Sequence, residues 1–456
     1  MSVRLSRALL VAALCLAPAF AAESSAQAAP SHWSIIHAGQ LLAIPGQPPM
    51  AHKSLIVRDG RVVEVRDGFV APGDVAHASD DALEVIDLSD KFVMPGLIDC
   101  HTHLTVNSIL NSVAQAQLQE FQLTDADIAI AGVVNARTVL LNGFTTVRNP
   151  GDPRLADAAL KRAIDSGQVP GPRMLTAGPP LGPSGSQDDP KGYRPEILAA
   201  LDEMHEIERC DGAVQCRALV RRTVARGADF IKIKSSGGVG SVLGRPDPRL
   251  YDDELTAVVQ TAHNLGVKVA AHAMTSQSIK ASLRAGVDSI EHGTQIDEET
   301  VRLFRQTGAY LVPTLLAPAD FVEQAPGSGR PVDRQRAEGL WTMTAQSMAI
   351  AYKGGVKFAF GSDIGYSKAA AEPREFLYMA KVGISPMDSL RAATVNAADL
   401  LGLSREVGTL EPGKQADVIA TDASPLDDIA QMTRVSFVMK GGTTYKSDHL
   451  ATVASH

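Results

Sequence analysis

The chain has 456 residues, 45% of them hydrophobic and 21% charged, which is enough apolar material for a large core and excludes global disorder. Its 43 Lys and Arg stand against 51 Asp and Glu, a net charge of −8, which argues against a nucleic-acid-binding surface. Four cysteines are too few for a disulfide-built scaffold.

The first segment reads as an address. Arg4 and Arg7 precede an apolar run from Ala8 to Phe20, and Ala19-Phe20-Ala21 has the form of a cleavage site. Residues 1–22 are therefore expected to be a signal peptide, and the mature protein to be exported, periplasmic or secreted. No later run reaches the roughly 18 apolar residues of a spanning helix, so no membrane partner is expected.

Residues 23–32 are rich in Ala and Ser and read as disordered. From 33 to 93, short apolar runs alternate with turn signals, and SLIVRDGRVVEVRDG predicts a hairpin over Asp59-Gly60. The tail from Val407 to Tyr445 has the same pattern. The two ends, 23–93 and 403–456, are predicted to form one discontinuous β-sandwich domain.

Between them, residues 94–402 alternate β-branched runs with helical stretches. Candidate strands fall at 96–103, 144–149, 173–178, 229–234, 267–273, 287–293, 309–315 and 357–363. Eight β/α units over this length predict an α/β fold of the (β/α)8 TIM-barrel type. Cys100 lies in an apolar strand and reads as a buried free thiol, whereas Cys210 and Cys216 either pair or remain two thiols on a helix.

The chemistry falls at the strand ends. His101 and His103 form an H-x-H pair, and residues i and i+2 of a strand point the same way, so both imidazoles can hold one metal ion. His272, His292 and Asp363 end the fifth, sixth and eighth strands. Lys232 lies inside the apolar fourth strand, where an unpaired ammonium is costly. Barrel strands converge at their C-terminal ends, so these six residues are expected to meet. The other histidines, such as His37, His205 and His263, show no such placement. Lys234 shares the face of Lys232, and alternation alone does not separate them.

Together, the strings MPGLIDCHTHL, GFTTVRN, DFIKIKSSGG, AAHA, SIEHG, FGSD, TVNAADLLGL and GTLEPGKQADVI resemble the metal-dependent amidohydrolase superfamily. Within it they look like the branch of imidazolonepropionase-like and prolidase-like enzymes, which includes bacterial ochratoxin-degrading amidohydrolases. The resemblance covers nearly the whole mature chain. It implies two divalent metal ions, zinc being the first expectation: His101, His103 and Asp363 would bind one, and His272 and His292 the other. It also selects Lys232, between the isoleucines of IKI, as the N-carboxylated bridge. Asp363 would be the catalytic proton carrier. The implied activity is hydrolysis of the amide of dipeptides or N-acyl L-amino acids, with conversion of ochratoxin A to ochratoxin alpha and phenylalanine within reach. A homo-oligomer, by analogy an octamer, is implied as well.

Two departures bear on substrate. The family's R-D-x-G-G after strand two reads RNPGD here, and its T-G-G-H-G after strand three reads SGSQD, with Gln187 at the histidine place. Tyr251 is a substrate contact by resemblance and otherwise a packing residue before a helix. Arg148 suits a substrate carboxylate or a structural salt bridge. Two alternatives remain open, a single-metal hydrolase of cyclic amides or lactones and a non-catalytic scaffold on the same fold.

Overall fold

The computed structural model describes residues 30–106, 122–151, 154–186, 194–205, 209–242, 249–324, 331–365 and 367–448. The expected leader, residues 1–22, and Gln187 lie outside the described residues.

Strands β1 (His32–Leu41), β2 (Met50–Arg58), β3 (Arg61–Asp67) and β4 (Ala82–Pro95) open the chain. The predicted hairpin joins β2 to β3. Asp59 and Gly60 both have positive φ, 49° and 76°, the left-handed pair a two-residue turn requires. A Cβ at Gly60 would lie 2.4 Å from the carbonyl oxygen of Gly441, so only glycine fits there.

Strands β5 to β12 run in chain order: Leu97–Asp99, Phe144–Asn149, Arg173–Thr176, Phe230–Lys234, Lys268–Ala273, Ser289–His292, Tyr310–Val312 and Lys357–Phe358. One falls in each predicted segment, and every recorded pairing among them is parallel. They form a three-stranded sheet, β5-β6-β7, and a five-stranded sheet, β12-β11-β10-β9-β8. Backbone contacts outside the ladders stitch the sheets together. Leu181 bridges Ile233 at one seam, and the Cys100 N–H donates to the Phe360 carbonyl (2.8 Å) at the other.

Helices fill most connections, several with strong caps. Thr124 and Asp127 form a capping box on Asp125–Leu141, and Asp297 caps Glu298–Thr307. Among the described residues, no helix is long and apolar enough to cross a membrane.

Strands β13 (Val418–Thr421), β14 (Val435–Lys440) and β15 (Thr443–Ser447) return to the N-terminal strands. The observed order is β15-β14-β13-β4-β1-β2-β3, one seven-stranded sheet where two stacked sheets were expected. The fourteen-residue β4 explains the difference. It is long enough to pair parallel with β1 and, through Phe92–Pro95, antiparallel with β13. The sheet curls until its two edge hairpins touch at Gly60 and Gly441. Alternation along the strands divides their side chains. Val93, Val418 and Phe437 fill the curl, while Phe92, Met94 and Ile419 join the large core beneath β5–β12.

Candidate metal centre

Strand β6 spans the predicted 144–149, and β8 and β9 keep their predicted C-terminal ends, whereas β5, β7, β10, β11 and β12 end earlier than predicted, and the residues that follow them help to build a site. Three residues there have positive φ: His292 (71°), Thr314 (49°) and Asp363 (59°). Such backbone is strained for non-glycine residues, most of all for a β-branched threonine. The Thr314 N–H is held by the Gly361 carbonyl (3.1 Å), and the Asp363 N–H by the His101 carbonyl (2.8 Å).

Five of the predicted residues meet closely. His101 Nε2 and His103 Nε2 both point at Asp363 Oδ1, at 3.5 and 3.3 Å. Donor atoms of His101, His292 and Asp363 lie within 4.8 Å of one another. The His292 ring centroid is 5.0 Å from that of His101 and 4.5 Å from that of His272.

Hydrogen bonds fix which ring nitrogens carry lone pairs. His103 Nδ1 faces the Gly151 carbonyl (3.2 Å), so this nitrogen donates and Nε2 keeps its lone pair. His101 Nδ1 lies 2.7 Å from Glu291 Oε2 and donates to that carboxylate. Two lone pairs therefore aim at a carboxylate oxygen, and Asp363 Oδ1 has no hydrogen bond. A cation between them resolves the arrangement. His272 donates from Nε2 to the Gly237 carbonyl (3.2 Å), which leaves Nδ1 to ligate.

Burial keeps three of these imidazoles, those of His101, His272 and His292, neutral. It pushes His101 and His272 well below the ordinary histidine value and His292 down to about 3, with neighbouring positive charge adding to the effect at His101 and His272. Neutral imidazole is the ligating form.

Lys232 is 1% exposed, and its Nζ has no hydrogen-bond partner. Burial pushes its pKa down to about 7, opposed by Glu291 and Asp363 and reinforced by Lys234 and Arg148. A buried, unpartnered amine is costly. Conversion to a carbamate held by a divalent cation would remove that cost, and the donor set of histidines and Asp363 fits a metal site. Lys234, two residues on, instead lines the cleft above the histidines.

That cleft opens to solvent. Its floor is His101, His103, His272, His292 and Asp363, and much of its wall is apolar, including Met274, Pro313, Phe321 and Leu340.

Both expected substrate contacts lie elsewhere. Arg148 is 3% exposed and donates to the Cys100 carbonyl, to Ser289 Oγ (3.1 Å) and to Glu291 Oε1 (2.7 Å). Its charge is consumed inside the protein, so the salt-bridge alternative describes it. Tyr251 is 70% exposed, stands at the N-terminus of helix Asp252–Asn264 and does not line the cleft. Cys210 and Cys216 are disulfide-bonded, and Cys100 is a buried free thiol.

Glu291 and Asp99 were not singled out in the sequence. Each is a carboxylate inside an apolar strand, the same signal that marked Lys232. Glu291 holds His101 from behind, and Asp99 accepts the His101 backbone N–H (2.7 Å) and the Ser362 hydroxyl.

The amidohydrolase family model matches residues 92–445. Ochratoxinase from Aspergillus niger is 28% identical over 435 residues, covering 91% of this chain and 86% of the relative. Imidazolonepropionase from Solibacter usitatus is 26% identical over 418 residues, 87% of this chain and 94% of the relative. The crystal structure of an Xaa-Pro dipeptidase with bound methionine in its active site superposes with a TM-score of 0.79 at 32% identity, covering 91% of this chain and 100% of that one. The chain belongs to the amidohydrolase family and is a hydrolase acting on carbon–nitrogen bonds.

Proposed function

We propose that the protein is a binuclear metal-dependent amidohydrolase that cleaves the amide of N-acyl L-amino acids or dipeptides. The observation that carries the reading is the fully buried Lys232 amine, without a hydrogen-bond partner, beside neutral histidines and Asp363. His101, His103 and Asp363 would hold one divalent ion and His272 and His292 the other, with N-carboxylated Lys232 shared. Zinc suits neutral imidazoles combined with oxygen anions. The ions, when bound, polarise the scissile carbonyl and lower the pKa of the attacking water.

The protein's own residues do the rest. Asp363 accepts the proton released as water adds to the carbonyl carbon and delivers it to the departing amine nitrogen. The products are a carboxylic acid and a free amine. Glu291 keeps the His101 tautomer that presents Nε2. The apolar wall excludes water and receives the substrate's apolar part. The similarity to ochratoxinase and to a dipeptidase supports an amino acid as leaving group, and ochratoxin A is one candidate substrate.

The same reading takes β5–β12 as one closed (β/α)8 barrel within residues 94–402. Residues 23–93 and 403–456 are then a smaller β domain, and 1–22 an export leader removed from a homo-oligomeric enzyme.

The test is amino-acid release from a panel of dipeptides, N-acyl amino acids and ochratoxin A, with and without a chelator. Release that the chelator abolishes and added metal restores is expected. A fully metallated protein that releases no amino acid but opens cyclic amides or lactones would overturn the reading.

A further inference from the structure

The four imidazoles on the floor of the cleft differ in what stands behind them. Those of His101, His103 and His272 each turn one ring nitrogen to a carboxylate or carbonyl oxygen, a partner that can only accept. His292 turns Nδ1 to the Thr314 hydroxyl instead, at 2.7 Å. Thr314 is 1% exposed and lies just past the end of β11, against the cleft.

Threonine is an awkward residue for this place. Its φ of 49° is left-handed, a conformation costly for a β-branched side chain. Neighbouring contacts impose it. The Thr314 N–H donates to the Gly361 carbonyl, beyond the end of β12 (3.1 Å). The next two N–H groups, of Leu315 and Leu316, donate to the two carboxylate oxygens of the fully buried Glu375 (2.9 and 2.6 Å). Gly361 is itself fixed, since a Cβ there would lie 2.2 Å from Val312 Cγ1 and 2.9 Å from His101 Cβ. Behind the ring, a Cβ at Gly293 would lie 2.6 Å from Leu311 Cδ1, so the backbone that follows His292 is packed against β11. The hydroxyl and the imidazole are thus set against each other by the ends of three adjacent strands, β10, β11 and β12. Glycine would relieve the backbone at 314. What threonine adds over glycine is a hydroxyl on a fixed stem.

We propose that Thr314 is the positioning residue of His292. Its hydroxyl oxygen accepts the Nδ1 proton, which leaves the lone pair on Nε2 for the ion that His272 and His292 would share. The left-handed backbone of Thr314 is retained because it aims the hydroxyl at that ring. This rests on the metal-centre reading above and adds to it a residue that touches neither metal nor substrate in its task.

The experiment separates the hydroxyl from the shape of the side chain. Thr314→Val keeps the branched shape and removes the hydroxyl, whereas Thr314→Ser keeps the hydroxyl and removes the methyl group. Zinc content, zinc retention against a chelator and the visible absorption of the cobalt-loaded protein are measured for the wild type and both variants. Thr314→Val is expected to release an ion to the chelator about 10- to 100-fold more readily and to shift the cobalt spectrum. Thr314→Ser is expected to keep wild-type retention and the wild-type spectrum. Thr314→Gly, unstrained at this φ, serves as the hydroxyl-free variant should the valine protein not fold.

Wild-type retention in the hydroxyl-free variant overturns the proposal. Equal loss in the serine and hydroxyl-free variants overturns it too, because shape and not the hydroxyl would then hold the ring. A folded wild type that takes up neither zinc nor cobalt overturns the metal-centre reading itself, and the positioning role with it.

Discussion

Glu291 Oε2 lies 2.7 Å from His101 Nδ1, on the opposite side of the imidazole from Asp363. The other Glu291 oxygen accepts from Arg148 (2.7 Å) and from the Ser289 hydroxyl. A fully buried chain of charge thus runs from Arg148 through Glu291 to the ring that faces the site. Carboxylates behind ligating histidines typically contribute about 10- to 100-fold to metal affinity. Glu291→Gln keeps the shape and removes the charge, so it is expected to weaken metal retention by about that factor in a chelator competition. It also strips the Arg148 guanidinium of its partner, with an expected stability loss of about 3 kcal/mol in chemical denaturation.

Lys232 and Lys234 separate by metal content. Lys232→Ala is expected to lose bound metal and all turnover, whereas Lys234→Ala is expected to retain metal. Elemental analysis of the purified variants decides between this pattern and its reverse, which would exchange the roles of the two side chains.

On the proposed mechanism, Asp363→Asn removes the proton carrier and leaves one oxygen able to ligate. A fall in kcat of at least about 100-fold is expected, the low end of general acid–base contributions, with part of the metal still bound. Paired measurements of turnover and metal content check it.

The stability of helix Glu298–Thr307 should depend on pH through its cap. Partial burial works against the charge of Asp297, but the Lys280 ammonium and the Thr300 N–H and hydroxyl outweigh it, holding the pKa well below 3.8. A folded pKa below the unfolded one stabilises the protein above the unfolded value, and the gain is lost as pH falls toward the folded value. Asp297→Ala is therefore expected to cost about 1 kcal/mol at pH 7. The gap from wild type should narrow steadily below pH 3.8, as denaturation at several pH values would show.

The Cys210–Cys216 bond closes a short loop, with a sequence separation of 6. Closing so small a loop is worth about 2 kcal/mol in the chain-entropy picture. The loop also carries a neighbour. The Cys210 N–H donates to the Gly182 carbonyl (2.9 Å), and Asp211 accepts from the Ser184 N–H (2.9 Å) and hydroxyl. Because Gly182 packs against the stem of Lys234, which lines the cleft, Cys210→Ser is expected to raise KM more than it lowers kcat. A parallel kinetic series under reducing conditions checks the assignment.

The grouping of His101, His103, His292 and Asp363 was legible because strand alternation and the convergence of parallel strand ends are local rules. The burial of Lys232 was legible for a similar reason, since its place inside an apolar strand already put the ammonium away from water. Arg148 was not, because a buried arginine and a substrate-binding one look alike until their acceptors are known. Its acceptors, Ser289 and Glu291, come from a strand about 140 residues away in sequence. Tyr251 depends on the path of a long loop, which no periodicity encodes. The curled sheet escaped for a topological reason. Alternating apolar residues show that a strand has two faces and do not show whether its neighbours lie in one sheet or two.

The position of β4 constrains the order in which the chain can mature. One side of this strand is satisfied early by β1, but Phe92–Pro95 must wait for β13, which lies beyond the whole of residues 96–417. During synthesis an apolar strand edge therefore stays unpaired until the last tenth of the chain appears, a period of exposure to mispairing. The C-terminal strands are accordingly a closing seam rather than a dispensable tail. A truncation before Val418 would uncover Met94 and the core beneath it, so such a chain should aggregate instead of yielding a shorter enzyme.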